Sequence, residues 1–268
     1  MARAERAQRL ETGVNRGRSA IAIDTQRHAR HILLKEIGGP GQQRLSKASV
    51  LLVGAGGLGS PAALYLAAAG IGRLRIVDPD TVSLDNLQRQ ILYRTGDVGA
   101  PKAAKAAEAL TGLDPAVRVE PVEGRADAGS LPGLLDGMDL VLDGCDDFAT
   151  RFAVNEAAVS ARVPLVSGAV GRWSGQLGVF APHLCADLPC YRCLVPGIPP
   201  GQERCAEVGI VGALTGVIGS LMALEAIKLI ARAGTALLGR LHVQDTLKAE
   251  TRVVRVAKDP HCPVCGGP

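Results

Sequence analysis

The amino-acid sequence predicts an α/β fold: a largely parallel sheet with helices on both faces, extended by antiparallel strands and clipped at its C-terminus. Three observations carry that expectation. Val50 to Asp80 reads VLLVGAGGLGSPAALYLAAAGIGRLRIVDPD, an apolar run, a glycine cluster, a small-residue helix and a second apolar run closed by Asp78. Gln176 to Phe180 and Thr251 to Val256 alternate or run apolar between turn signals, as antiparallel strands do. Two Cys-x-x-Cys pairs, Cys190/Cys193 and Cys262/Cys265, stand far apart in the second half, where they can fasten the tail to an earlier loop.

Met1 to about Asp24 is rich in Arg and Ala with little pattern, and reads as a disordered basic arm; residues 25–268 read as one domain. Gln26 to Leu45 sets Arg27, Arg30 and His31 beside an apolar stripe (Ile32, Leu33, Leu34, Ile37). It suggests a helix, a Gly38-Gly39-Pro40-Gly41 turn and a second short helix, with Arg30 on a solvated face when the residues are taken alone. The run Val50 to Val53 is a strand, Pro61 to Ala69 a helix, and Leu74 to Val77 a strand. Strand, glycine turn, helix, strand and acid is the order of a Rossmann-like nucleotide site. Gly54 permits the tight turn, Gly56 lets backbone approach a phosphate, and Gly59 lets helix and sheet pack closely, with Gly57 between them. Asp78 lies where a carboxylate can accept hydrogen bonds from ribose hydroxyls. A glycine turn that serves only packing is the alternative, and the pattern does not say which nucleotide.

Beyond that unit, Thr81 to Arg94 is rich in amides around Asn86 to Gln90 (NLQRQ) and contains Arg89. Lys102 opens an alanine-rich helix that starts near Ala100-Pro101. Val117, Val119 and Val122 suggest a short strand, and Leu140 to Asp143 another, followed by Asp146 and Asp147. Acids beyond the carboxyl end of a strand stand where open parallel sheets bind ligands. Asp147 suits the N-cap of a helix from Phe148 to Ala161, leaving Asp146 for function. Leu165 to Ser167 repeats the parallel unit once more. A Pro/Gly-rich loop from His183 to Gly209 then leads into a helix from about Gly212 to Arg232.

Bulk properties narrow the function. The chain has 268 residues, of which 47% are hydrophobic and 21% charged, enough for a substantial core. A net charge of +4 is mild, much of the excess lies in Met1 to Arg30, and aromatics are only 3%; these argue against a nucleic-acid surface. No apolar core follows the N-terminal charges, so no secretory signal is expected. The most apolar stretch, Gly209 to Leu224, is short for a bilayer and runs into Glu225 and Lys228, so it reads as a buried helix. Gly212, Gly216 and Ser220 would suit close packing there. Seven cysteines without a signal point to a reducing compartment, the cytoplasm, and to metal or thiol chemistry.

Each Cys-x-x-Cys knuckle can turn two thiolates toward one point, and four thiolates at about 2.3 Å close a tetrahedral zinc site. A redox pair or disulfides are the alternatives. Cys205 follows Arg204 in the loop PPGQERCAEVG; it suits a nucleophile of lowered pKa or an inert loop thiol equally. Cys145 and Cys185 carry no pattern.

Taken together, RHILLKEIGGPGQQRL, VLLVGAGGLGSPAALYLAAAGIG, Asp78, NLQRQIL, VGAPKA, DGCDDFATRF, PCYRC, CAEVGIVG and DPHCPVCG follow in order. The chain from about Gln26 onward resembles the MoeB/ThiF/HesA family, relatives of the ubiquitin-activating enzymes, and most nearly its MoeB-type members. The resemblance implies ATP-dependent adenylation of the C-terminal glycine carboxylate of a ubiquitin-like sulfur carrier, MoaD- or ThiS-like, in molybdopterin or thiamine biosynthesis. Gly57 and its neighbours would cradle the phosphates and Asp78 hold the ribose. Asn86, Arg89 and Lys102 would contact ATP, and Asp146 would serve Mg2+. Arg30 would reach the ATP of a neighbouring protomer in a homodimer, and Cys190, Cys193, Cys262 and Cys265 would hold structural Zn2+. Cys205 matches a family thiol linked in some members to sulfur transfer. The chain stops after the second knuckle with no rhodanese domain, so a separate sulfur donor is expected.

One departure stands out: Asp147 occupies a position where the family usually has Asn, placing an extra charge near the triphosphate. Two other functions fit parts of the pattern. An NAD(P)-dependent oxidoreductase would use the same glycine turn, but neither His183 nor His242 is placed as a proton donor. A non-catalytic scaffold would keep zinc and dimerisation alone.

Overall fold

The computed structural model describes residues 21–198 and 209–266. The expected basic arm therefore lies outside the described residues up to residue 20, and so does Cys205. Eight strands form one sheet in the order β3-β2-β1-β4-β5-β6-β7-β8. β1 (Ser49–Val53), β2 (Arg73–Asp78), β3 (Arg118–Glu123), β4 (Leu140–Asp143) and β5 (Leu165–Gly171) run parallel. β6 (Ser174–Phe180), β7 (Arg240–Asp245) and β8 (Glu250–Arg255) continue it antiparallel. The predicted class is thus the one observed.

Every residue of β1 is buried, which explains its unbroken apolar run. Val50 and Leu52 face one core with helices α2 (Gly38–Lys47), α3 (Gly59–Ala68), α4 (Lys102–Leu113) and α8 (Gly212–Ala231). Leu51 and Val53 face the other, with α5 (Leu131–Leu135) and α6 (Phe148–Ala161). Alternation along one strand therefore serves two helical layers. Two further short helices are α1 (Ala29–Ile32), with no buried residue, and α7 (Tyr191–Leu194), whose Tyr191 joins the second core.

Local details differ from the expectations at several places. Gly38-Gly39-Pro40-Gly41 is the first turn of α2 rather than a link between helices. Pro40 needs no N–H partner in a first turn, so the helix can begin there. β7 and α5 were not anticipated; α5 is a single turn, and β7 alternates over only two apolar residues, Leu241 and Val243, a short signal next to the long apolar helix. The apolar helix α8 has 20 residues, long and apolar enough to cross a membrane by length and composition alone, so shortness is no argument against a span. Half of it is buried, against α3, α2, β5 and β6. Its close contacts come from Gly212 and Gly219, one heptad apart. A methyl at Gly219 would lie 2.4 Å from the Leu58 carbonyl, and one at Gly212 would lie 2.2 Å from that of Gln88. Around Gly216 there is open space.

Gly59 bears the tightest contact of the glycine turn, because an added Cβ would lie 1.9 Å from the Gly54 carbonyl oxygen. Gly59→Ala is expected to lower unfolding stability by about 2 kcal/mol or more. Gly112→Ala, in open space on α4, is expected to leave stability unchanged or raise it by up to about 1 kcal/mol. Urea unfolding of the two variants checks the contrast.

Candidate functional site

The strand order reverses direction between β1 and β4, and a crevice opens there at the carboxyl ends. Val53 is in register with Val77 on one side and Asp143 on the other. Gly54 donates its N–H to Val77 O at 2.9 Å, and Gly144 donates to Val53 O at 3.0 Å. Gly54 has φ +86°, which a side chain would strain, and a Cβ there would press on the Gly144–Cys145 backbone at 3.3 Å. At Gly56 the nearest atom to an added Cβ would be Gln90 Nε2 at 3.6 Å. The protein itself does not demand glycine at that position, which leaves room for a ligand. The N-cap of α3, Leu58, offers no side-chain acceptor, and the first turn has no acid. The α3 N-terminus is therefore suited to an anion.

Asp78, at the end of β2, is 5% exposed. Its Oδ2 accepts from Ala55 N at 2.7 Å and its Oδ1 from Asp80 N at 2.9 Å, so it braces the glycine turn. Burial raises its carboxyl above the ordinary value, opposed by those N–H donors and by the nearby Lys102 ammonium. Buried Lys102 begins α4 and pairs through Nζ with Asp80 Oδ2 at 2.9 Å. Tyr93 donates to Ala55 O at 2.8 Å, and burial keeps its phenol neutral. Asn86 is buried at the end of a short turn, Leu84–Asn86. Arg89 follows, half-buried, with Nη1 donating to Asp85 O at 3.2 Å. Gln90 is buried too, its Oε1 lacks a partner, and its Nε2 faces Gly56. Gln90, Tyr93 and Asp80 were not singled out from the sequence. The amide-rich NLQRQ stretch was the available signal for Gln90; nothing local marked the other two.

The three acids after β4 separate into distinct tasks. Asp143 is 1% exposed; its Oδ2 accepts from Ser167 Oγ at 2.8 Å and from Arg151 Nη1 at 3.3 Å, and its Oδ1 from Cys145. Burial and this carboxylate push the Cys145 thiol well up, so it is a donor rather than a nucleophile. Asp147 caps α6, as expected, accepting from Thr150 N at 2.8 Å. Asp146 is exposed and bonds to no described residue. Arg30 is exposed on α1, and no hydrogen bond or ion pair joins it to the glycine turn.

The four knuckle cysteines converge, their sulfurs all within 4.8 Å of one another. Cys190 Sγ lies 3.6 Å from Cys262 Sγ, and Cys193 Sγ lies 3.5 Å from Cys265 Sγ. A tetrahedron with arms of about 2.3 Å has edges of about 3.8 Å, so the set fits a closed four-thiolate metal centre. All described cysteines are free. Burial pushes the Cys190 thiol up, so ionised sulfur there needs a cation beside it.

Residues 28–264 match the ThiF family. The chain is 47% identical over 247 residues to the sulfur carrier protein adenylyltransferase of Thermus thermophilus, covering 91% of each chain. It is 42% identical over 240 residues to the molybdopterin-synthase adenylyltransferase of Salmonella typhimurium, covering 90% of this chain and 96% of that one. A crystal structure of Escherichia coli MccB shares the fold, with a TM-score of 0.79 at 21% identity over 92% of this chain and 76% of that one.

Because Asp147 acts through one oxygen on a helix N–H, an amide would serve as well. Asp147→Asn is expected to change stability by less than about 0.5 kcal/mol, and Asp147→Ala to cost about 1 kcal/mol. Chemical denaturation of both variants decides it.

Proposed function

This chain belongs to the ThiF family, and on that premise we propose that it uses ATP to adenylate the C-terminal glycine carboxylate of a small ubiquitin-like sulfur carrier. A carboxylate oxygen of the carrier attacks the α-phosphorus, the bond to the β-phosphate oxygen breaks, and pyrophosphate leaves. The nucleophile arrives already ionised, so the enzyme needs positioning and positive charge rather than a general base.

The single observation that supports the reading is the meeting of the glycine turn with the end of β4, Val53 in register with Asp143, with buried Lys102 near enough to oppose the burial that raises the Asp78 carboxyl. In this reading Gly54, Gly56, Gly57 and Gly59 wrap the phosphates, Asp78 takes the ribose, and Asn86, Arg89 and Lys102 neutralise charge on the α-phosphate and leaving pyrophosphate. Asp146, the acid of the three with no described partner, would hold Mg2+, which spreads the phosphate charge when bound. Residues 25–268 would form one adenylation domain. A homodimer would let Arg30 reach the ATP of the other protomer; exposed Val217 and Leu224, one heptad apart on α8, support an apolar association face. The four cysteines would hold Zn2+ as a structural clip.

The name of the Salmonella typhimurium relative favours a MoaD-like carrier and molybdopterin synthesis; a ThiS-like carrier and thiamine synthesis is the alternative. A separate donor would supply sulfur, with Cys205 available for transfer. Free thiols suit a cytoplasmic setting.

Carrier-dependent ATP–pyrophosphate exchange tests this, using MoaD-like and ThiS-like carriers ending in Gly-Gly. Exchange is expected with one of them, reduced by about 100-fold or more in Asp146→Ala and Lys102→Ala and retained in Cys205→Ala. Absence of exchange with every carrier overturns the reading. The metal is checked separately: elemental analysis should find one zinc per chain, and chelation should lower the melting temperature.

A further inference from the structure

α6 starts at the β4 crevice and runs past the four sulfurs, and the residue it presents to them is Asn155, 1% exposed. Both ends of its amide are engaged. Oδ1 accepts the Tyr191 N–H at 2.8 Å, and Nδ2 donates to Cys190 Sγ at 3.6 Å. A backbone N–H can only donate, so Tyr191 dictates which end of the amide is oxygen and leaves the NH2 facing the sulfur.

Cys190 is the ligand that most needs such a donor. It is 0% exposed, whereas Cys193 and Cys265 reach solvent in part. A metal thiolate keeps negative charge on sulfur, and a buried one has no water to share it. Packing alone already ties the first knuckle to α6. The Phe152 ring lies 6.1 Å from that of Tyr191, and the Arg192 guanidinium stands 4.0 Å over Phe152. Asn155 therefore adds something that packing does not: a polar hydrogen aimed at one ligand atom.

We propose that Asn155 is a positioning residue for the metal, its side-chain N–H holding Cys190 as a zinc thiolate while its carbonyl locks the knuckle onto α6. The proposal rests on the zinc reading above. It makes α6 the connection between the clip and the crevice, since the same helix is capped by Asp147 next to Asp146.

The test is zinc affinity by competition with a chromophoric chelator, for wild type, Asn155→Ala and Asn155→Asp. The aspartate keeps an acceptor for Tyr191 N–H but sets a carboxylate against the sulfur, separating the two roles. Both variants are expected to bind zinc about 10- to 100-fold more weakly than wild type. Wild-type affinity in both, with or without a lower melting temperature, overturns the proposal. A wild type that binds no zinc overturns the metal reading and this one with it. If neither variant folds, NMR of the cadmium-loaded wild type decides: a protected Asn155 amide coupled to the metal supports the proposal, and one exchanging freely with solvent overturns it.

Discussion

Everything at the crevice depends on backbone meeting backbone where β1 and β4 end. Gly59 comes so close to Gly54 that a methyl there would strike its carbonyl, while methyls at Gly54 and Gly144 would press on neighbouring backbone at 3.3 Å. Carbonyls and amides cannot rotate away, so the contact tolerates no Cβ. The same closeness turns the α3 N-terminus and the end of β4 toward one space. Asp78 then braces the turn from β2 through Ala55, and Tyr93 steadies the same residue from the other side.

A second constraint lies just beneath. Asp143, Arg151 and Ser167 form a buried network that also binds the carbonyls of Cys145 and Gly168 through Arg151. Removing one member of such a pair leaves an unpaired buried charge, which costs about 3–5 kcal/mol. The network consumes Asp143, and the helix cap consumes Asp147. Of the three, Asp146 alone has no partner among the described residues. The acid where the resemblance leads one to expect Asn is the capping one, and its charge lies at a helix N-terminus where the macrodipole accepts it.

Midway along the same helix, the knuckle packs on Phe152 and bonds to Asn155. The C-terminal segment is thereby held to the parallel half of the sheet by thiols that are 72 residues apart in sequence. Strands β7 and β8 lie between the two knuckles in sequence, so the convergence of the four thiols spans the last two antiparallel strands.

The sequence by itself determined the parallel unit, because a strand buried on both faces must read as an unbroken apolar run and a turn this tight requires glycine at positions 54 and 59. It also placed α6 to the residue, since a helix that needs a cap shows one at Asp147, and it paired the two knuckles by their spacing. It chose Asp146 but could not show what occupies Asp143, reveal the unpaired Oε1 of Gln90, or show that Gly219 and not Gly216 is the close contact of α8. Those distinctions rest on which neighbours arrive from distant strands and helices. Hydrogen bonding and steric exclusion act between atoms in space, so only the tertiary structure decided them.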